Sequence, residues 1–350
     1  MGFFTNNMVQ NITLGSNVQF INGNMANAFN GCTSLNSPIH IPNGVVSMQH
    51  CFYNCRSFNQ SVNIPNSVTN AAMMFYGCNQ LNSPVNIGNN VTSMYYMFCG
   101  CANFNQPVNI PDSVTNISGL FSSANSFNQP IKIPGGVTSI NGFLSYCKDF
   151  DQPLTIPGNV KNATNILVQV NNFNSPITIE NGVQILSRVI TGTTIADKTL
   201  FNQPIVIPDS VQTMQYVVQY LNNFNSPVTI GNGVTNMYGA IYSCKNFNQP
   251  LTIPNKVTTC YIALYNCINM SSNITIWARN ITCCMNFIYN RNNAVMINIF
   301  LPPNCSTNNY FKYTNTRSIV GKAISWTQDT ANSCYYNTMY NIYIYYTVGT

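Results

Sequence analysis

The chain has 350 residues, with 13 basic and 7 acidic side chains and a net charge of +6. Charged residues make up 6% of it, against about 25% in an average domain, and the basic ones are scattered singly, which excludes the clustered footprint of a nucleic-acid binder. Twenty Tyr, twenty Phe and a 45% hydrophobic content exclude a disordered chain, which would be poor in aromatic and β-branched residues.

In chain order, the start Met1-Gly2-Phe3-Phe4-Thr5-Asn6-Asn7 has neither the basic n-region nor the apolar h-region of a secretory signal, so none is expected. No run reaches the roughly 18 apolar residues of a membrane-spanning helix, and no membrane insertion is predicted. Residues 1–34 hold one degenerate repeat, Ile12 to Ser34, and are expected to cap an open end.

From Leu35 onward a unit opening [LF]-N-[QS]-P recurs: Leu35, Phe58, Leu81, Phe104, Phe127, Phe150, Phe173, Phe201, Phe224, Phe247 and Met270. The spacing is 23 except between Phe173 and Phe201, where five residues are inserted near 191–200. Such a period marks a repeat array, in which each unit buries its apolar side only by stacking on the next.

Within a unit, the seventh position is always Ile, as in Ile41, Ile64 and Ile253. Two residues earlier stands Ile, Val or Leu, with a mostly polar residue between them. That alternation predicts a half-buried strand, one per unit, stacked into a parallel sheet. Pro usually follows, as at Pro65 and Pro111, and ends the strand. A Val column comes next (Val45, Val68, Val91), then apolar steps of three and four through pairs such as Met74-Phe75 and Met97-Phe98. That spacing predicts a short helix or 3-10 turn.

The unit closes on a column of Cys32, Cys55, Cys78, Cys101, Cys147, Cys244 and Cys267, replaced by Ala124 and Leu221 elsewhere. A position that accepts Ala and Leu is a packing position, so these thiols are expected free and buried. The pairs Cys51/Cys55, Cys99/Cys101 and Cys283/Cys284, with two His in the chain, do not make zinc-site spacing. No metal or cofactor is expected. The Asn after each opening Leu or Phe, from Asn36 to Asn248 with Asp151 and Ser271 as exceptions, forms a column suited to satisfying the backbone of the neighbouring coil.

The array is predicted over 35–304, and residues 305–350 form a tyrosine-rich end segment in which Tyr340-Asn341-Ile342-Tyr343-Ile344-Tyr345 alternates as a strand. It is expected to cap the last coil, and Tyr340, Tyr343 and Tyr345 are candidates for an attachment or oligomer interface.

No catalytic constellation emerges. Asp112 and Asp209 occupy turn positions, and Asp149 and Asp151 are two apart at a unit junction. No GxSxG, HExxH or phosphate-loop motif occurs. The strand face is the candidate binding surface: Gln106 with Asn109, Gln129 with Lys132 and Gln152 with Thr155 make a polar, neutral row suited to a glycan or a flat protein, or simply to water. The insertion, with Asp197 and Lys198, is a further place for a specific contact.

The segment Ile64-Pro65-Asn66-Ser67-Val68-Thr69, followed by Met74-Phe75-Tyr76-Gly77-Cys78, resembles the 23-residue BspA-type leucine-rich repeat. Phe104-Asn105-Gln106-Pro107 and Phe247-Asn248-Gln249-Pro250 resemble the FNQP repeats of mycoplasma surface lipoproteins and, more loosely, FNIP repeats. The end segment resembles the C-terminal ends of repeat proteins encoded by gut bacteriophages. The resemblance covers about residues 12–300 and implies a leucine-rich-repeat-like solenoid that binds proteins or surfaces and carries no catalytic residues. With no export signal, it leads us to expect a bacteriophage virion protein. Its partners would be other virion proteins and a host-surface glycan or protein, with self-association through an end segment. The alternative is a bacterial cell-surface adhesin of BspA type.

Overall fold

The computed structural model describes residues 10–12, 20–193, 199–277 and 287, together with the backbone of four later strands, Ile297–Leu301, Thr327–Asp329, Cys334–Asn337 and Ile342–Tyr346. It divides into two compact units, Met1–Ser175 and Pro176–Thr350. Each is built as a parallel β-solenoid, with coils stacked in register.

The expected strand forms in most coils, though not at 39–41, 108–110 or 131–133, and it is short. Val62–Asn63 pairs in parallel with Val85–Asn86 in the first unit, and Ile205–Ile207 with Val228–Ile230 in the second. The buried-exposed-buried pattern of Leu154–Ile156 and Leu251–Ile253 is the alternation read from the sequence. Proline at both ends, as in Pro153 and Pro157, removes the flanking donors and holds the strand to three residues.

The expected helix is absent: the one helical element among the described residues is the 3-10 turn Ile21–Gly23. The apolar steps of three and four belong instead to consecutive β-turns. In one coil, Cys51 N–H donates to Met48 O at 3.0 Å, Tyr53 N–H to His50 O at 3.1 Å and Cys55 N–H to Phe52 O at 3.0 Å. The N–H groups of Met48, His50, Phe52 and Asn54 point along the stack to Asn70 O, Ala72 O, Met74 O and Tyr76 O, at 2.7–3.0 Å. A helix would turn every N–H along its own axis. Here alternate N–H groups reach the next coil, so stacking also satisfies the backbone of this side.

Two left-handed residues per coil produce the alternation. One column runs Asn27, His50, Met73, Tyr96, Gly119, Gly142 and Asn165, and the other Gly31, Asn54, Gly77, Gly100, Ser123, Tyr146 and Gln169, all at positive φ. Each sits third in its four-residue turn, where a type II turn requires φ above zero. The second unit repeats this at Tyr216, Gly239 and Ile262, and at Tyr220, Ser243 and Asn266.

Phenylalanine fills the core in two touching columns. Phe52, Phe75, Phe98 and Phe121 follow one another at ring spacings of 5.4–5.7 Å, and Phe104, Phe127, Phe150 and Phe173 at 6.0–6.3 Å. The columns meet at Phe98–Phe104 and Phe121–Phe127, 4.5 and 3.9 Å apart. In the second unit Phe201, Phe224 and Phe247 continue the pattern.

Residues 24–32 are more regular than their sequence. The N–H groups of Met25, Asn27, Phe29 and Gly31 bond to the coil that follows, and Met25, Ala28, Phe29 and Cys32 are fully buried. At the other end, a six-stranded sheet runs Leu251–Ile253, Ile274–Ile276, Ile297–Leu301, Ile342–Tyr346, Cys334–Asn337 and Thr327–Asp329. Ile342–Tyr346 pairs in parallel with Ile297–Leu301 and antiparallel with Cys334–Asn337. The switch of direction takes the last strands out of the parallel stack.

Candidate functional site

The asparagine column is a hydrogen-bonded ladder. Asn36 Oδ1 accepts the N–H of Asn59, Asn59 that of Asn82, Asn82 that of Asn105, and Asn105 that of Asn128, at 2.8–2.9 Å. Asp151 substitutes without loss, because its carboxylate oxygen accepts from Asn174 N–H at 2.8 Å. The second unit repeats the ladder through Asn202, Asn225 and Asn248.

This ladder engages half of the predicted strand-face row. The amides of Gln106, Gln129 and Gln152 donate to Asn82, Asn105 and Asn128 at 3.3, 3.0 and 3.1 Å, and their side chains are half-buried. Asn109, Lys132 and Thr155 are exposed. Tyr343 and Tyr345 lie in an interior strand of the terminal sheet, whereas Tyr340, Asp197 and Lys198 fall outside the described residues.

The acids behave as acceptors of structure. Asp149 Oδ1 takes the amide of Asn172 at 3.3 Å, and Asp209 Oδ1 the N–H of Asn232 at 2.7 Å. Among the described residues no group of three or more His, Cys, Asp or Glu could hold a metal ion, and no helix is long and apolar enough to cross a membrane.

In the predicted column Cys55, Cys78, Cys101, Cys147, Cys244 and Cys267 are free and buried, and Cys32 is buried with them. The column adds a bond: the thiols of Cys55, Cys78, Cys101 and Cys147 donate to carbonyls of the preceding coil at 2.9–3.0 Å. Burial raises the pKa of Cys78 and Cys267 well above its ordinary value, and that of Cys244 to about 12. Such thiols are unreactive.

A surface that the strand-based reading missed lies on the turn side of the second unit. Tyr216, Tyr220, Tyr238, Tyr242, Tyr261 and Tyr265 form one half-buried cluster. Neighbouring rings stand 4.9–5.5 Å apart, from the parallel pair Tyr242–Tyr265 to the edge-on pairs of Tyr216 and Tyr220. Arg188 lies over the Tyr216 ring, 5.9 Å from its centroid. Gly239 is required beneath it, since a Cβ there would come within 2.5 Å of Tyr216. The first unit repeats this at Tyr96 and Gly119. Burial, then the neighbouring phenols, push the Tyr216 and Tyr242 hydroxyls above their ordinary pKa, against the opposing pull of Arg188 on Tyr216. The cluster therefore presents neutral hydroxyls and ring faces.

Beside it lies a hollow of about 190 Å³ lined by Thr193, Tyr220, Asn222, Ser243, Lys245 and Asn266. The signal for this surface was in the sequence, as tyrosines 22 or 23 residues apart, from Tyr216 to Tyr238 to Tyr261 and from Tyr220 to Tyr242 to Tyr265. They escaped notice because a helix there would have put them on an ordinary solvated face.

Two solved structures resemble the chain. One is a leucine-rich cell surface protein from Faecalibacterium prausnitzii, 19% identical, with 80% of this chain and 86% of that chain covered and a TM-score of 0.39. The other is a leucine-rich repeat protein from Bacteroides ovatus, 16% identical, with 74% and 73% covered and a TM-score of 0.41. No curated protein matches the chain. Overlapping matches to one family cover residues 3–109, 62–154, 87–182, 111–205 and 194–300. The chain belongs to that family, described as Mycoplasma protein of unknown function, DUF285.

Proposed function

We propose that this protein is a non-enzymatic adhesive repeat protein displayed on a bacterial cell surface, and that it binds through the tyrosine face of its second unit. The observation that carries this reading is the six-tyrosine cluster, half-buried, with rings packed at 4.9–5.5 Å. Tyrosine gives large, rigid, amphipathic contact area at low entropic cost. The strand face is less suited, because the amides of Gln106, Gln129 and Gln152 already serve the ladder. A match to a bacterial family along residues 3–300 supports the cell-surface reading over the virion reading.

Intact cells producing the chain, labelled with antibody and then shaved briefly with protease, are expected to carry the label outside and to lose it. A fixed copy number in purified virus particles, with no label on cells, overturns the proposal. Replacing Tyr238, Tyr242 and Tyr261 together by Ser is expected to weaken attachment of the purified chain to host cells by about tenfold or more, at a temperature where its melting curve shows the variant still folded.

A further inference from the structure

We infer that the hollow beside the tyrosine cluster is a subsite for a carboxylate-bearing sugar. This rests on the surface-binding reading and names its ligand class. The hollow is built from two columns of the coil. Tyr220, Ser243 and Asn266 are the left-handed residues of three successive coils, with φ of 56°, 55° and 59°. Asn222 and Lys245 stand two residues after the first two of them. In this unit the left-handed column presents a phenol, a hydroxyl and an amide; the first unit also carries side chains there at Ser123, Tyr146 and Gln169, besides Gly77 and Gly100.

Size and chemistry select the ligand. A volume of about 190 Å³ falls below the roughly 300–1,000 Å³ of sites for drug-sized molecules and suits a single sugar ring. The ring of Tyr220, 5.5 Å from that of Tyr242, offers an aromatic face for the apolar side of a pyranose. Thr193, Asn222, Ser243 and Asn266 line the hollow; the Asn266 amide donates to Ser243 Oγ at 3.4 Å, which leaves the Asn266 oxygen and the Asn222 amide as acceptor and donor for sugar hydroxyls. Charge decides between neutral and acidic sugars. Lys245 is exposed at the rim, Arg188 lies on the same face over Tyr216, and none of the described lining residues is a carboxylate. The ammonium of Lys245 is placed to pair with the sugar carboxylate. Such a pair at an exposed rim weakens with salt.

The test is binding of the full chain to immobilised glucuronate, to its methyl ester and to glucose. Glucuronate is expected to bind at least tenfold more tightly than the other two, and less tightly as salt rises. Lys245→Gln should abolish that preference, Lys245→Arg should retain it, and Tyr220→Ser should weaken binding of all three. Lys245 is exposed, so the variant keeps the fold, which an unchanged melting curve checks. Equal binding of glucuronate and its ester, or wild-type binding by Lys245→Gln, overturns the inference. If acidic sugars fail to bind while the tyrosine variants still lose cell attachment, the subsite is wrong and the adhesive face stands.

Discussion

At the residue scale, the repeat reuses a few side chains for backbone needs that stacking creates. Asn105 shows the economy of the device: one carboxamide oxygen accepts the N–H of Asn128 and the amide of Gln129, at 2.9 and 3.0 Å. Asn105→Ala leaves that N–H without its acceptor and is expected to destabilise the chain by about 1–2 kcal/mol. Asn105→Asp keeps an acceptor oxygen, as Asp151 does naturally, and is expected to stay within about 0.5 kcal/mol of wild type. Urea titration of the two variants checks this, and equal losses would show that the ladder contributes nothing beyond packing. The same logic explains the cysteine column. A small apolar side chain with a weak donor fits a buried site facing a carbonyl, while Ala124 fits the same space and forgoes the bond.

At the element scale, the turn side depends on left-handed residues that are mostly not glycine. Ser123, at φ 61°, stands in the column that holds Gly77 and Gly100. Ser123→Gly is therefore expected to be neutral or to stabilise, and Ser123→Val to destabilise by about 1–2 kcal/mol, read as shifts in thermal midpoint. The two phenylalanine columns pack as one element. Phe121 stacks on Phe98 at 5.7 Å and on Phe127 at 3.9 Å, so Phe121→Ala is expected to cost about 3–5 kcal/mol, measurable by urea denaturation.

The strand, the asparagine ladder and the cysteine column were legible in the sequence, because each rests on a near-invariant residue type with a one-step physical meaning. The turns were not. Their left-handed positions hold Asn, His, Met, Tyr, Ser and Gly in turn, so no residue type marks them, and apolar steps of three and four fit a turn stack as well as a helix. The tyrosine face was hidden by the same error, since its position depends on which way the turns point.

At the scale of the whole molecule, stability comes from a repeated apolar and amide interior with few charges, 6% of the chain. Its pH dependence follows from groups buried in their neutral form. Burial raises the folded pKa of Cys78 and Cys267 above the ordinary 9.0, and burial does the same for Tyr216 and Tyr242 above the ordinary 10.0. A raised folded pKa gives stability that is whole below the unfolded value and is lost as pH rises towards the folded one. The urea midpoint is thus expected to hold steady from neutrality to about pH 9 and to fall beyond it. A midpoint that stays level well past 10.0 would place these groups in water.

The replacement of a helix by stacked turns in the described repeats is the structural claim on which the tyrosine face depends, and far-UV circular dichroism of the purified chain tests it most directly. Stacked turns and short parallel strands predict a β-type spectrum without the helical double minimum. A helical spectrum amounting to one short helix per 23-residue repeat would contradict the stacked turns and, with them, the placement of the binding face.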